Sequence, residues 1–211
     1  MQIEVLDAAV HFGNRIVFSG LTTHFASGQV TALVGPSGSG KSTLLAALSG
    51  YQSLSAGCIE FHGSGPAPLP PDPSRVAWVP QGSNALARRS ALENVAIAPL
   101  SSGARLSDAR ERAVEALELV HLGDRLQQQA RRLSGGELQR LALARALASG
   151  KELILADEPS ANLDATNTEL IAQILHELRA RATIVVATHD PILVSSASAA
   201  VHLRTLENHG N

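Results

Sequence analysis

Val30-Thr31-Ala32-Leu33-Val34-Gly35-Pro36-Ser37-Gly38-Ser39-Gly40-Lys41-Ser42-Thr43 is the stretch that decides the fold. Its first five residues lack polar alternation, as in a parallel strand covered on both faces. From Lys41 a helical pattern runs to Ser49 and stops at Gly50, a residue suited to a C-terminal cap. Between strand and helix lie Gly35, Gly38 and Gly40, which let backbone N–H groups close around an anion while the helix dipole adds favourable potential. In that arrangement Lys41 would reach the β- and γ-phosphates of a nucleoside triphosphate, and Ser42 would ligate Mg²⁺. A flexible glycine-rich turn is the competing reading, and it explains neither the strand before nor the helix after. Lys41 and Lys151 are the only lysines in a chain otherwise served by arginine. A compact ammonium fits between phosphates where a planar guanidinium does not.

Working outward, two more apolar runs read as buried strands: Leu153-Ile154-Leu155-Ala156 and Thr183-Ile184-Val185-Val186-Ala187. Ile171, Ile174, Leu175 and Leu178 form the apolar stripe of a helix starting at about Thr166. Strand and helix alternate, which predicts an α/β fold with a parallel sheet. Upstream, residues 4–12 and 16–25 flank Gly13-Asn14 and read as an antiparallel β hairpin. Residues 64–74 hold five prolines and a glycine and read as a surface loop. From 82 to 130 the strand signals vanish. Ser107 is placed to cap a helix through Leu119, with Asp108 and Glu111 in its first turn and Val114, Leu117 and Val120 on its apolar face. This region reads as a small helical subdomain inserted into the α/β domain.

Composition narrows the classes. A formal net charge of −2 gives no electrostatic case for nucleic acid. No apolar run approaches the ~20 residues of a membrane span, and Met1-Gln2-Ile3-Glu4-Val5 is unlike a signal peptide. Cys58, the single cysteine, excludes an internal disulfide and fits a reducing cytosol.

Leu133-Ser134-Gly135-Gly136-Glu137 then opens a helix that is apolar nearly all round, through Leu138, Leu141, Ala142, Leu143, Ala144 and Leu147, so the helix is expected to be buried. Ser134 serves as its N-cap on one reading. The two glycines beside it remove side chains where nothing in a monomer requires it. With the Gly35–Thr43 segment earlier in the same chain, this stretch resembles the ATP-binding subunit of an ABC (ATP-binding cassette) transporter, and the match covers essentially the whole chain.

The resemblance implies a P-loop NTPase core (1–81 and 148–211) and a helical subdomain carrying the signature (82–147). It implies ATP and Mg²⁺ as ligands. Gly35, Pro36, Ser37, Gly38, Ser39, Gly40, Lys41, Ser42 and Thr43 match the Walker A loop, and Phe12 fits the aromatic that stacks on adenine, although it also suits a core strand. Asp157, with Ser42 and Gln81, would hold the metal, and Glu158 would be the general base. Two acids closing a strand at its solvent end is the plainer alternative. His189 matches the switch histidine and Gln81 the glutamine loop that reports to the helical subdomain. Ser134, Gly135 and Gly136 would bind the γ-phosphate held by a second copy, and Asn162, Leu163 and Asp164 fit a loop crossing that interface. Glu137 stands where the family often has Gln.

The expected partners are a second ATP-binding subunit, as a homodimer, and a separate integral membrane permease, with the chain peripheral on the cytoplasmic face of the membrane. Glu158-Pro159-Ser160-Ala161-Asn162-Leu163-Asp164 and the short chain look like the lipoprotein-release and macrolide-export group. A regulatory ATPase on a membrane complex and a non-transport ABC ATPase stay open as alternatives.

Overall fold

The computed structural model describes residues 1–63 and 65–204; Ser64 of the proline-rich loop and residues 205–211 lie outside the described residues. In chain order the strands are β1 (Gln2–Phe12), β2 (Arg15–Phe25), β3 (Val30–Val34), β4 (Ala56–His62), β5 (Val76–Val79), β6 (Leu153–Asp157), β7 (Thr183–Ala187) and β8 (Ala199–His202). The helices are α1 (Lys41–Leu48), α2 (Ala91–Ser101), α3 (Leu106–Leu119), α4 (Gly135–Ala148), α5 (Ala165–Leu178) and α6 (Pro191–Ser196).

The expected hairpin is β1–β2, and β4 adds to it as a third antiparallel strand in the order β2-β1-β4. The second sheet is parallel, in the order β5-β6-β7-β3-β8. Side chains alternate across each strand, so both faces of this sheet are buried. Leu153, Leu155, Val185 and Ala187 pack with Leu33, Leu44, Leu45, Phe25 and Phe61, between the two sheets and around α1. Ile154, Ala156, Ile184 and Val186 pack on the other side with residues of α4 and α5 and continue into the packing of α2 and α3. The uninterrupted apolar runs in the sequence have this two-sided burial as their cause.

Where strands are short or half-exposed, the sequence pattern had not shown them. In β4 only Ile59 and Phe61 are buried, β5 has four residues, and β8 is an edge strand that is largely exposed. Helix α3 ends at Leu119 as expected but starts at Leu106, so Ser107 is not its cap. Arg105 is at the N-cap without a side-chain bond, and Ser107 Oγ donates to Asp108 Oδ1 at 2.8 Å. Asp108 lies in the first turn and Glu111 does not. The face of α3 that is buried carries Ala109, Ala113, Ala116 and Leu117, followed by Val120, while Val114 is only half-buried.

A polar knot joins α2 and α4 to the segment after β5. Asn94, fully buried on α2, accepts from the Leu86 N–H at 2.7 Å and donates to the carbonyls of Leu86, Arg89 and Ser90. Arg145 of α4 donates to Asn94 Oδ1 at 2.7 Å, to the Asn94 carbonyl at 3.0 Å and to Asn84 Oδ1 at 2.8 Å. Burial lowers the pKa of this guanidinium, and the Asn oxygens offset part of its lost hydration. Asn94→Ala strands the Leu86 N–H and removes one acceptor of the buried Arg145, so denaturant melts should show a loss of about 2–4 kcal/mol.

At the start of α4, Ser134 Oγ accepts from the Glu137 N–H at 3.3 Å, and Glu137 Oε2 accepts from the Ser134 N–H at 2.8 Å. This is a reciprocal cap, and Arg125 Nε adds a bond to Glu137 Oε1 at 3.3 Å. The Ser134 backbone bond chiefly, then the Ser134 hydroxyl and Arg125, hold the Glu137 carboxyl below its ordinary pKa against the opposing effect of burial. A lowered folded-state pKa stabilises the fold above the unfolded pKa, and the gain is lost as pH falls through the folded value. Glu137→Gln keeps a capping side chain but cannot ionise. Its thermal midpoint should lie below wild type at pH 7, and the gap should begin to narrow as pH falls past about 4.3, the ordinary glutamate value; a gap that does not narrow on further acidification contradicts this.

Candidate nucleotide site

The parallel sheet sets the site. The carboxyl ends of β5, β6, β7 and β3 stand side by side, and each continues into one of the quoted segments: Gln81, Asp157-Glu158, Thr188-His189 and Gly35–Thr43. Ligands in α/β sheets bind at these ends. A cavity of about 670 Å³ opens there, within the ~300–1,000 Å³ usual for small-molecule sites. Gly35, Pro36, Ser37, Gly38, Gly40, Lys41, Ser42, Thr43, Gln81, Asp157, Glu158 and His189 line it, with Phe12. Ser39 alone of the loop lies beneath, fully buried.

The loop folds too tightly for side chains at two of its glycines. A Cβ on Gly35 would fall 2.5 Å from Ser39 Oγ and 2.7 Å from the Leu203 carbonyl, and one on Gly40, whose φ is +93°, would fall 2.8 Å from Val17 Cγ1. Gly40 is the N-cap of α1, and no side chain caps that helix. Its first-turn N–H groups therefore face the loop without a side-chain acceptor, an arrangement that suits phosphate oxygens. Lys41 Nζ donates to the carbonyls of Gly35 at 2.8 Å and Pro36 at 3.3 Å and lies 3.9 Å from Glu158 Oε1. The residues fit a triphosphate with a hard divalent cation: a hydroxyl at Ser42, a carboxylate at Asp157 and an amide oxygen at Gln81 are Mg²⁺-type donors.

Glu158 has φ +48°, an uncommon conformation for a residue with a side chain, and its N–H donates to the Ala187 carbonyl at 2.8 Å. The turn brings its largely buried carboxylate to 3.0 Å from His189 Nδ1, while the His189 ring is mostly exposed. Asp190 caps α6 and accepts from Ser160 Oγ at 3.1 Å, which ties the segments after β6 and β7 together.

Phe12 is 53% exposed at the end of the hairpin, so the core-strand alternative falls. Arg15 and Val17 also line the cavity and were not singled out in the sequence. Arg15 pairs with Phe12 across the turn, so the hairpin register itself pointed to it. Ser134, Gly135 and Gly136 do not line this cavity. Gly135 is exposed with nothing within 4 Å of a built Cβ, as a residue awaiting another surface would be. Gly136 corrects the expectation that neither glycine has a task in the monomer. A Cβ there would lie 2.5 Å from Asn167 Oδ1 of the same chain.

Residues 18–161 match the ABC transporter family. The lipoprotein-releasing system ATP-binding protein LolD of Bacteroides fragilis is 36% identical over 91% of this chain and 93% of its own length. The macrolide export ATP-binding/permease protein MacB of Syntrophobacter fumaroxidans is 37% identical over 89% of this chain and 28% of its own. The Fe(3+) ions import ATP-binding protein FbpC of Streptomyces coelicolor is 38% identical over 87% and 53%. Among solved structures, a dimeric ATP-binding cassette in a post-hydrolysis state, bound to ADP and phosphate, superposes with a TM-score of 0.79 at 27% identity, covering 96% of each chain. The glycine loop, the row of strand ends and these matches agree, and the chain belongs to the ABC transporter family, as an ATP-binding subunit with ATPase activity.

Proposed function

We propose that the chain powers transport by closing head to tail with a second copy over two MgATP, on a separate membrane permease. One observation carries this reading. The cavity is walled by the glycine loop and the strand ends of this chain, while Ser134 and Gly135 lie exposed outside it. A second copy placed head to tail would bring its own Ser134 and Gly135 over the triphosphate and complete the site. A related cassette has been solved as a dimer with ADP and phosphate, which supports a pairing of two copies. The similarity to LolD and MacB favours release or export as the process served. No described helix is long and apolar enough to cross a membrane, which suits a subunit that docks at the cytoplasmic face. The proposed division is a nucleotide core of 1–81 and 148–211 and a helical arm of 82–147.

In the proposed mechanism the α1 N–H groups and Lys41 hold the phosphates. Ser42, Asp157 and Gln81 would hold Mg²⁺, which supplies charge neutralisation on the transferring phosphoryl group. Phe12 would stack on adenine. Glu158 would accept a proton from the attacking water, and His189, hydrogen-bonded to it, would steady the carboxylate and the water. Hydrolysis then removes the γ-phosphate that joined the two copies, and they part.

Glu158→Gln keeps the shape but cannot take the proton, so turnover should fall by about 10²–10⁴ while ATP binding persists. Gel filtration should then trap an ATP-bound dimer, and wild-type turnover would remove Glu158 from the mechanism. Ser134→Arg should leave ATP binding by the isolated chain intact yet block closure and hydrolysis. Mixed with Lys41→Ala chains, it should recover activity, because the heterodimer has one site with both defects and one with neither. If Ser134→Arg alone hydrolyses ATP at the wild-type rate, the shared-site mechanism is wrong.

A further inference from the structure

Gly135 and Gly136 sit next to each other at the start of α4 and answer to different neighbours. Gly135 faces open space. Gly136 is buried, and the three atoms nearest to a Cβ on it would all belong to Asn167: Oδ1 at 2.5 Å, Cγ at 2.9 Å and Cβ at 3.5 Å. The absent side chain lets the Asn167 amide lie against the helix backbone. That amide is held from its other end. The Asn167 backbone N–H and Nδ2 both donate to Asp164 Oδ1, each at 2.8 Å. These bonds hold the Asp164 carboxyl below the ordinary aspartate range, so it is ionised near neutral pH and a strong acceptor. With Nδ2 committed to Asp164, the planar amide presents Oδ1 to Gly136.

Asp164 is also the N-cap of α5 and closes a short loop that begins at Glu158. The Ala161 N–H donates to the Glu158 carbonyl at 3.1 Å, the Leu163 N–H to the Ser160 carbonyl at 3.0 Å, and Asn162 has φ +63°. Backbone bonds therefore run from Glu158 to the loop, side-chain bonds from Asp164 to Asn167, and a packing contact from Asn167 to Gly136.

We infer that Asn167 is a positioning residue: its amide is a spacer that sets the exposed start of α4 at a fixed distance from the loop following Glu158. The inference rests on the shared-site reading, since there the α4 start serves the nucleotide of the other copy while Glu158 serves the chain's own. The spacer then links the geometry of the two sites within one chain. It acts on closure of the dimer, not on the first binding of ATP.

A pair of substitutions tests it. Gly136→Ala drives a methyl group into the Asn167 amide and should lower kcat at least about tenfold, with ATP affinity of the isolated chain within about twofold of wild type. Asn167→Ala removes the amide and should lower kcat about threefold with KM for ATP little changed. In the double variant the two close atoms are gone and the retained Cβ of residue 167 lies at ordinary contact distance from the methyl, so its kcat should exceed that of Gly136→Ala alone by several fold. Such reversal marks a direct contact. Equal costs of Gly136→Ala with and without the Asn167 amide overturn the spacer, as does a wild-type rate for Gly136→Ala. A purely structural role would instead lower the thermal midpoint and ATP affinity in step with the rate, and that outcome also overturns it. Should Gly136→Ala fail to fold, recovery of folding in the double variant supports the contact, and the kcat and KM of Asn167→Ala decide its catalytic consequence. The Ser134→Arg result separates the two layers. An inactive Ser134→Arg beside additive costs sinks the spacer and leaves the shared sites standing, whereas an active one sinks both.

Discussion

Burial of β3, β7 and β6 on both faces is the constraint on which the rest of this structure depends. A strand covered on two sides can carry no charge along its length without a desolvation cost of several kcal/mol. In these three strands the only ionisable residue is Asp157, at the last position of β6. Polar chemistry is thereby pushed to the strand ends. Because the strands are parallel and adjacent, those ends fall on one edge of the sheet. Helix α1, which follows β3, starts at this same edge with uncapped amides. The same burial that stabilises the core thus gathers an anion cradle, two carboxylates and a histidine within one cavity.

Within that cavity the charges are arranged around Glu158. Lys41 Nζ at 3.9 Å and His189 Nδ1 at 3.0 Å approach the same carboxylate oxygen. Lys41 and Glu158 are mostly buried, at 10% and 14% side-chain exposure. The raw attraction at such a distance is about 4 kcal/mol for an effective dielectric near 20, and much of it offsets desolvation of the two groups. Lys41 is also held by two carbonyl oxygens, which compete weakly with a polyanion. A triphosphate offers the ammonium stronger acceptors than these neutral oxygens do. Binding would draw Lys41 toward phosphate and leave the carboxylate to His189 and water. The positive φ of Glu158, worth about 1–3 kcal/mol of strain, is the cost of turning that side chain back over the strand ends.

Legibility in the sequence followed contact range. The three strands buried on both faces, the hairpin and the glycine loop are local patterns, and each was readable from residues within about ten positions. The row of strand ends was readable only in part, because the order β5-β6-β7-β3-β8 brings distant segments together and β5 is four residues long. β4 escaped notice because its exposed first half hides the alternation. Ser107 was misread because a capping residue and a first-turn serine look alike until the helix start is fixed; the observed N-cap, Arg105, lies two residues earlier. The role of Gly136 could not be read locally at all. Its neighbour Asn167 lies across the space between α4 and α5, and nothing in Ser134-Gly135-Gly136-Glu137 announces it.

The identity of residue 137 shows how an apparent departure is settled by local physics. At the third position of α4, Gln and Glu both return a bond to the Ser134 N–H, so either supports the helix start. Glu adds a charge near the positive end of the helix dipole and an acceptor for Arg125 at 3.3 Å. Both of its oxygens are thereby turned inward, one to the Ser134 N–H and one to Arg125. The Ser134 hydroxyl accepts from the Glu137 N–H and also helps to hold the Glu137 carboxylate. On the outward side the helix start therefore presents an uncovered Gly135, while its one carboxylate is occupied within the chain. An anionic phosphate approaching that side meets the positive end of the helix dipole and a bare glycine, with the carboxylate already bonded within the chain, which is why a glutamate at this position is compatible with the role that the exposed glycine suggests.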